Sequence, residues 1–477
     1  MALKYKSGLI FLLFLMISYA NGNHNSPPST TKGFYAVGPD KPIVKYLEKP
    51  SSPVPRELKR VAVEVFFDLN PTMMRFSMPC YPCQVTENNI HYSNGWTETY
   101  DPKASSSCEV LWDREARYAR MWIESQNPAR IVVRVRAALA DPDGYIAHSD
   151  IPSGSPYGKG DWTDEWYYIY PDGTHTRYVR IYTGLAEQSL LVTDETFQGE
   201  AKIREIPPRV VHEFHEEFIF GQDSHIPEDD IESFPMTLIM MDSRSKHISY
   251  KPYPKDFGAF AAANIVIVNL KSQFKPFIIS IPDGLEHEPY TPEGNLPHTF
   301  QTWMKKGGKD GYSASLGHLL NWWHYRRTSN ILEQVYLSGM TDNDDPKEDL
   351  IALAKSWLRP PQLIMKGVEP EYKKLIYDPS QRAYILTPEN KSTGSLEFSL
   401  EGYEKEDGHP DTPWIVNPAF VVKNWGKREA VLTVNGKELK PGKDFRFGYE
   451  EDQAGADLIL WLKMKSDEAV RFSLLPL

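Results

Sequence analysis

The chain has 477 residues, of which 41% are hydrophobic and 12% aromatic, and its formal net charge is −11. This apolar content supplies a large core and more than one domain, and it excludes an intrinsically disordered chain. The negative net charge argues against nonspecific binding to nucleic acid.

The first twenty residues have the pattern of a secretory signal peptide. Lys4 and Lys6 precede an apolar run from Leu9 to Ile17, and residues 18–20 form a small-x-small cleavage site. The run is shorter than the roughly 20 residues that cross a bilayer, so we expect cleavage and no membrane span. An uncleaved anchor is the alternative. The predicted location is extracellular, or periplasmic in a Gram-negative host.

Short strands dominate the next part of the chain. Residues 21–57 are rich in Ser, Pro and Thr and predict a linker or surface strap. From Arg60 onward, apolar and β-branched runs recur between turn signals. Asp172 and Gly173 separate two of these runs, so residues 165–170 and 175–182 are predicted to form a hairpin. The other predicted strands of this part cover residues 61–67, 118–124, 129–139, 209–220, 236–241, 263–270, 277–281 and 334–337.

One helix is predicted over residues 346–358, with Asp345 as its N-cap and two prolines after its last residue. Seven further strands are predicted at residues 383–386, 396–400, 414–422, 430–434, 445–449, 458–462 and 469–475. The elements together predict an all-β fold. A large antiparallel, super-sandwich-like β-sandwich over residues 58–370 would precede a smaller β-sandwich domain over residues 371–477.

Cysteines are too few to define a metal centre. Cys80 and Cys83 form a CxxC motif, but a metal site would need a second pair that the sequence lacks. A disulfide between the two is one alternative after export. Structural or unpaired thiols are favoured over a redox role. We predict no metal and no cofactor. A divalent cation is the alternative, although no motif supports it.

A basic and aromatic tract from His298 to Arg327 is the most distinctive part of the sequence. Between residues 301 and 330 there are five Lys or Arg and one acid, Asp310, in a chain that is otherwise acidic. Cations bind carboxylate and sulfate groups, and aromatic rings stack on sugars. The tract therefore predicts a site for an anionic polysaccharide. The alternative is that its tryptophans belong to a core.

Eliminative cleavage of a uronate polymer would use each residue type in this tract. A base removes the C5 proton, an acid assists the leaving 4-linked oxygen, and the sugar carboxylate must be neutralised. We predict that His318 and Asn321 neutralise the carboxylate and that Tyr325 is the base or acid. His298 and His148 are further catalytic candidates. The predicted substrate-binding residues are Arg326, Arg327, Lys305, Lys306, Trp303, Trp322, Tyr312 and Trp162, with Tyr312 a reserve for proton transfer.

Two other functions compete with elimination. Asp161, Asp164 and Glu165 lie beside two tryptophans and supply the carboxylates that a glycoside hydrolase needs. A noncatalytic carbohydrate-binding surface protein would use the same aromatic residues without chemistry. The sequence does not define an oligomeric state.

Six short segments between about residues 160 and 425 carry a family resemblance. They are WYYIYPDG (166–173), GHLLNW (317–322), GMT (339–341), AKSW (354–357), DPSQRAY (378–384) and NPAFVVKNW (417–425). These segments resemble secreted bacterial polysaccharide lyases that depolymerise ulvan, a sulfated polymer of glucuronate, iduronate and rhamnose from green algae. The resemblance implies a β-sandwich lyase that acts outside the cytoplasm on ulvan. It does not place the catalytic residues.

Overall fold

The protein is described by a computed structural model. The described residues are 33–38, 62–77, 81–99, 101–113, 116–184, 211–220, 227–280, 285–288, 299–301, 312–321, 326–327, 330–365, 372–388, 395–403, 412–452 and 455–477.

Strands make up most of the regular structure up to residue 341. They are β1 (Tyr35–Val37), β2 (Ala62–Phe66), β3 (Met73–Ser77), β4 (Tyr81–Val85), β5 (His91–Thr99), β6 (Cys108–Glu109), β7 (Arg120–Gln126), β8 (Ile131–Ala138), β9 (Trp162–Ile169), β10 (His175–Tyr182), β11 (Val211–Phe220), β12 (Ile231–Ile239), β13 (Ser245–Ile248), β14 (Ile265–Leu270), β15 (Lys275–Ile279), β16 (Leu285–Glu288), β17 (Thr299–Gln301), β18 (Tyr312–Asn321), β19 (Arg326–Arg327) and β20 (Ile331–Thr341).

The helices are α1 (Pro227–Asp230) and α2 (Lys347–Leu358), with 3₁₀ turns at Val110–Trp112 and Gly258–Ala262. The remaining strands are β21 (Gln362–Met365), β22 (Tyr372–Asp378), β23 (Ala383–Pro388), β24 (Leu396–Glu401), β25 (Ile415–Val416), β26 (Ala419–Val422), β27 (Ala430–Val434), β28 (Lys437–Leu439), β29 (Phe445–Asp452), β30 (Gly455–Leu462), β31 (Lys465–Ser466) and β32 (Val470–Pro476). The predicted all-β fold class is confirmed.

Two ten-stranded antiparallel sheets form the larger part. Sheet A has the order β1-β2-β3-β4-β5-β11-β18-β16, with β6 and β17 attached at β5 and β18. Sheet B has the order β13-β12-β14-β15-β20-β10-β9-β8-β7, with β19 paired to β20. The sheets bury their facing apolar residues in a shared core, in which Val65 and Phe76 of sheet A meet Val133 and Tyr167 of sheet B. This core leaves the opposite face of sheet B available for other contacts.

The predicted hairpin is confirmed as β9 and β10, which pair along their whole length. Gly173 closes the turn with a φ of +85°, a conformation that glycine adopts without steric cost. This tight turn therefore fixes the register in which β9 and β10 pair.

Helix α2 begins one residue later than predicted. Its N-cap is Pro346 and makes no side-chain capping bond, so Asp345 does not cap the helix. Leu350, Leu353 and Trp357 of the helix pack on Val335 and Leu337 of β20, on the face of sheet B away from sheet A. The helix therefore covers one end of that face.

Two smaller five-stranded sheets follow the helix. Sheet C has the order β21-β24-β32-β27-β28, and sheet D has the order β22-β23-β26-β30-β29. Phe398, Phe420 and Phe472 pack together between them. The predicted strand 414–422 is wrong in one respect, because Asn417 at a φ of +42° and Pro418 divide it into β25 and β26. The two predicted domain spans stay a prediction, although the small sheets begin at Gln362 rather than after residue 370.

Other sequence predictions fall partly outside the described residues. The proposed signal peptide and Cys80 lie outside the described residues. Strand β1 lies within the predicted strap and pairs with β2. Cys83 is a buried free thiol, so it forms no disulfide, and burial raises its pKa to about 12. No helix within the described part of the chain is long and apolar enough to cross a membrane.

Candidate functional site

The outer face of sheet B carries a concentrated set of arginines and aromatic rings. Alternate residues of a strand point to opposite faces, so the burial of Val133 and Tyr167 against sheet A sends Arg134 and Trp166 outward. We call this surface the arginine–aromatic face. It comprises Trp122, Arg134, Arg136, Tyr157, Asp164, Trp166, Tyr178, Arg180 and Glu333.

An aromatic row crosses four strands of this face. Tyr178 lies opposite Trp166, Trp166 opposite Arg134, and Arg134 opposite Trp122. The Arg134 guanidinium lies 4.5 Å from the Trp166 ring centroid and 5.2 Å from that of Trp122. Arg180 lies 5.6 Å from the Trp166 centroid, and the Trp166 and Tyr178 centroids are 5.4 Å apart. Arg134 thus lies between two tryptophan rings and Arg180 lies beside Trp166, so cation–π attraction holds these side chains together.

An ionic row runs beside the aromatic one. Glu333 lies opposite Arg180, Arg180 opposite Asp164, and Asp164 opposite Arg136. Unlike charges are therefore adjacent across the strands, which stabilises this register.

The first carboxylate of the row is enclosed by a tyrosine and an arginine. Arg134 donates to both Asp164 oxygens at 3.2 and 3.1 Å, and the Tyr157 hydroxyl donates to Oδ2. The Asp164 side chain is completely buried. Burial, followed by the hydrogen bond to Asp164, raises the pKa of Tyr157 to about 12. Asp164 is therefore held away from solvent and from any substrate.

The second carboxylate has the same kind of partners but is more open. Arg180 donates to Glu333 Oε1 from Nε at 3.1 Å and from Nη2 at 2.8 Å, and the Tyr178 hydroxyl donates to the same oxygen. Arg180 Nη2 also donates to the Tyr178 hydroxyl at 3.0 Å. The Glu333 side chain is 11% exposed and that of Arg180 is 34% exposed. This group of three reaches the surface.

Arg136 supplies an uncompensated charge on the face. Its guanidinium lies 4.3 Å from the ring centroid of Tyr157 and 5.9 Å from that of Trp122. Within the described part of the chain it has no ion-pair partner, and its buried Nε has no hydrogen-bond partner. Glu124, at the edge of the face, pairs with Arg134 at 3.2 Å instead. Arg136 is therefore available to an anion.

The predicted residues of the basic tract that are described lie on two strands. His318 and Asn321 lie on β18, opposite Glu216 and Glu213 of β11. The two positions are three apart, and positions of a regular strand alternate between its faces, so they do not share a face. Arg326 lies on β19, with its backbone opposite Glu333, and Arg327 lies opposite Leu332. The register thus brings the end of the basic tract to the ionic row.

The rest of the tract lies outside the described residues or at a strand end. Tyr312 begins β18 opposite Gln301. The predicted site residues on which the structure is silent are His298, Trp303, Lys305, Lys306, Trp322 and Tyr325. Their roles stay predictions.

Two predicted residues have structural partners. His148 is fully buried, with Nδ1 2.7 Å from Asp161 Oδ2 and its backbone N–H donating to Asp101. Because no part of its ring reaches solvent, we assign it no contact with substrate. Trp162 is buried beneath the Tyr157 ring, at a centroid distance of 5.7 Å.

The three carboxylates of the hydrolase alternative do not form a site. Asp161 pairs with His148, Asp164 with Arg134, and Glu165 with Arg177. Each side chain is at most 4% exposed. Asp164 and Glu165 also lie on opposite faces of β9. Two carboxylates flanking a sugar therefore cannot come from this group.

Sequence reasoning missed most of the arginine–aromatic face. Arg134 and Arg136 are two residues apart, as are Tyr178 and Arg180, in segments predicted to be strands. Polar or aromatic residues at alternate strand positions share one face. That spacing was the signal that would have identified them.

Metal-binding side chains do not cluster in the part of the chain that the structure describes. No group of three or more His, Cys, Asp or Glu there is placed to hold an ion.

Comparisons with known proteins gave only remote similarities. No protein-family model matches the chain, and no curated protein matches it. A polysaccharide lyase from Bacteroides aligns with 81% of this chain and 38% of its own, at 8% identity and a TM-score of 0.16. A Paenibacillus xanthan lyase aligns with 85% of this chain and 52% of its own, at 8% identity and a TM-score of 0.25. The chain thus spans about half or less of the length of each lyase.

Proposed function

We propose that the protein is a secreted polysaccharide lyase that cleaves ulvan, a sulfated uronic-acid polysaccharide, by β-elimination. The products would carry 4,5-unsaturated uronate ends. The family resemblance of the six sequence segments names the polymer, and the arginine–aromatic face supplies the chemistry to bind it.

The observation that carries the proposal is the unpaired Arg136 among aromatic rings. A partly buried guanidinium without a carboxylate partner is strongly stabilised when it pairs with an incoming carboxylate or sulfate. The half-buried ring of Trp166 on the same face offers apolar surface to the C–H groups of sugars. This face thus offers a cation to the charged group of an acidic sugar and an aromatic ring to its C–H groups.

Elimination also requires that the uronate carboxylate be neutralised before its C5 proton leaves. Arg180 is partly exposed and charged. Arg326 lies opposite Glu333, the ion-pair partner of Arg180, in the strand register. His318 and Asn321 lie on β18 of sheet A, so their predicted roles do not belong to this face. Their roles and that of Tyr325 stay predictions. The site needs no bound metal for this step, because guanidinium groups supply the positive charge.

Hydrolysis is less well supported, since its candidate carboxylates are buried and paired. Noncatalytic binding of the same polysaccharide would use the same face without proton transfer. An activity measurement distinguishes a lyase from a noncatalytic binding protein.

The experiment is to incubate the protein with ulvan and follow ultraviolet absorbance of the unsaturated uronate together with new reducing ends. We expect both signals to rise in parallel. Reducing ends without absorbance would show hydrolysis, and binding without either signal would show a noncatalytic protein. Either result would overturn the proposal.

A further inference from the structure

Tyr178, Glu333 and Arg180 form a group that the binding role of the face does not require. The Tyr178 hydroxyl donates to Glu333 Oε1, and Arg180 donates to both of them. Tyr178 lies in the aromatic row beside Trp166, where a sugar ring would rest. A phenol and a carboxylate in direct hydrogen bond at a sugar site are able to exchange a proton.

We propose that Tyr178 and Glu333 are the proton-transfer pair of the elimination, with Tyr178 as the acid and Glu333 as the base. This inference rests on the proposed lyase function and extends it, because it assigns both proton transfers to residues outside the basic tract.

The step balances without any further reactant. Glu333 takes the C5 proton, the electrons of that C–H bond form the C4–C5 double bond, and the C4–O4 bond breaks. The leaving O4 takes the phenolic proton of Tyr178. This leaves a phenolate and a neutral carboxyl group, and the proton returns along their hydrogen bond to restore the starting state.

The surroundings suit these roles. Burial, and then the hydrogen bond to Glu333, raise the pKa of Tyr178, so its phenol is protonated at neutral pH as an acid must be. Arg180 lies within 3.0 Å of both groups and is the most exposed of the three, so it can also contact the sugar carboxylate.

The equivalent group around Asp164 does not fit the same chemistry. Its carboxylate is completely buried, whereas Glu333 is 11% exposed. A base must touch the C–H group that it deprotonates, so only Glu333 qualifies. Arg136 lies three strands from Glu333, or roughly 14 Å at the usual strand spacing, and would hold a different sugar unit.

The first test compares Tyr178→Phe with Tyr145→Phe, which removes a hydroxyl that donates to the carboxylate of Asp101 outside the arginine–aromatic face. Acid catalysis contributes about 10²–10⁴-fold, so we expect kcat on ulvan to fall at least about 100-fold in Tyr178→Phe with KM within about threefold. Tyr145→Phe should retain kcat within about fivefold. Near wild-type kcat in Tyr178→Phe, or equal losses in both variants, would overturn the assignment.

A second measurement separates the acid from a merely structural role. A uronate substrate with a nitrophenyl ether at O4 has a leaving group that needs little protonation. Tyr178→Phe should cleave it within about fivefold of the wild-type rate, and Glu333→Gln should remain inactive on both substrates. Activity of Glu333→Gln on either would refute the base, and its inactivity supports it even if Tyr178→Phe fails to fold. A wild-type protein that forms no unsaturated product would instead refute the lyase function itself.

Discussion

His175 is a buried polar side chain on a strand of sheet B. It lies on β10 and is directed toward sheet A, where Glu165 and Arg177 form a buried ion pair at 2.9 Å. Its Nδ1 has no hydrogen-bond partner in the described part of the chain. Burial lowers the pKa of His175 to about 4, from an ordinary value near 6.5. The native state therefore resists protonation at this position.

This histidine predicts a specific pH dependence of stability. Between pH 6.5 and 4 the unfolded chain takes up a proton at residue 175 and the native protein does not, so acidification destabilises the fold. His175 should account for a loss of about 3 kcal/mol in the free energy of unfolding across this range. The loss should be absent from His175→Gln, as measured by urea denaturation at several pH values.

The matched control is His247→Gln, which replaces an exposed histidine on β13. It should follow the wild-type pH profile, because it leaves the buried ring of His175 in place. Parallel profiles for the wild type and His175→Gln would contradict the explanation.

The β9–β10 hairpin is the element on which the site depends, and it was predictable. Its turn and both strands are local in sequence, and the alternation of residues is clear.

Strand β18 was not predicted, because tryptophans, histidines and glycines in its neighbourhood obscured the alternation. The rows of the arginine–aromatic face were not predictable either. They depend on pairing of β10 with β20, whose partners Arg180 and Glu333 are 153 residues apart.

Gly173 tests how strongly the hairpin turn is specified. Its φ of +85° disfavours any other residue, and an added Cβ would lie 3.0 Å from Asn70 Nδ2. Gly173→Ala should lower the free energy of unfolding by about 1–3 kcal/mol. Gly442→Ala is the control, since Gly442 is exposed and its nearest neighbour to a Cβ would be 3.9 Å away. Equal stabilities of the two variants in chemical denaturation would contradict this role of the turn.

The large and small pairs of sheets are joined by buried polar contacts. Arg130 donates to both carboxylate oxygens of Glu450 at 2.9 and 2.6 Å and to Gln381 at 2.9 Å. Arg446 donates to both oxygens of Asp68. Breaking a buried pair of this kind leaves an uncompensated charge, which is costly. The small sheets therefore hold Arg130 directly before the start of β8, the strand that carries Arg134 and Arg136.

Cation–ring pairs also occur away from the arginine–aromatic face in the described part of the chain. One of them, Lys355 and Trp414, lies at α2, with 4.9 Å from cation to ring centroid. Because Trp414 is not part of the arginine–aromatic face, it provides a comparison for it.

The central claim is that an anionic polysaccharide is cleaved while bound along the arginine–aromatic face. The most direct test is the initial rate of unsaturated uronate formation against ulvan concentration for the wild type, Trp166→Ala and Trp414→Ala. Loss of stacking and cation–π contacts should raise KM about 10-fold in Trp166→Ala, which corresponds to about 1.4 kcal/mol of binding. Trp414→Ala should stay within about twofold of the wild type. An unchanged KM in Trp166→Ala, with wild-type activity, would contradict the claim.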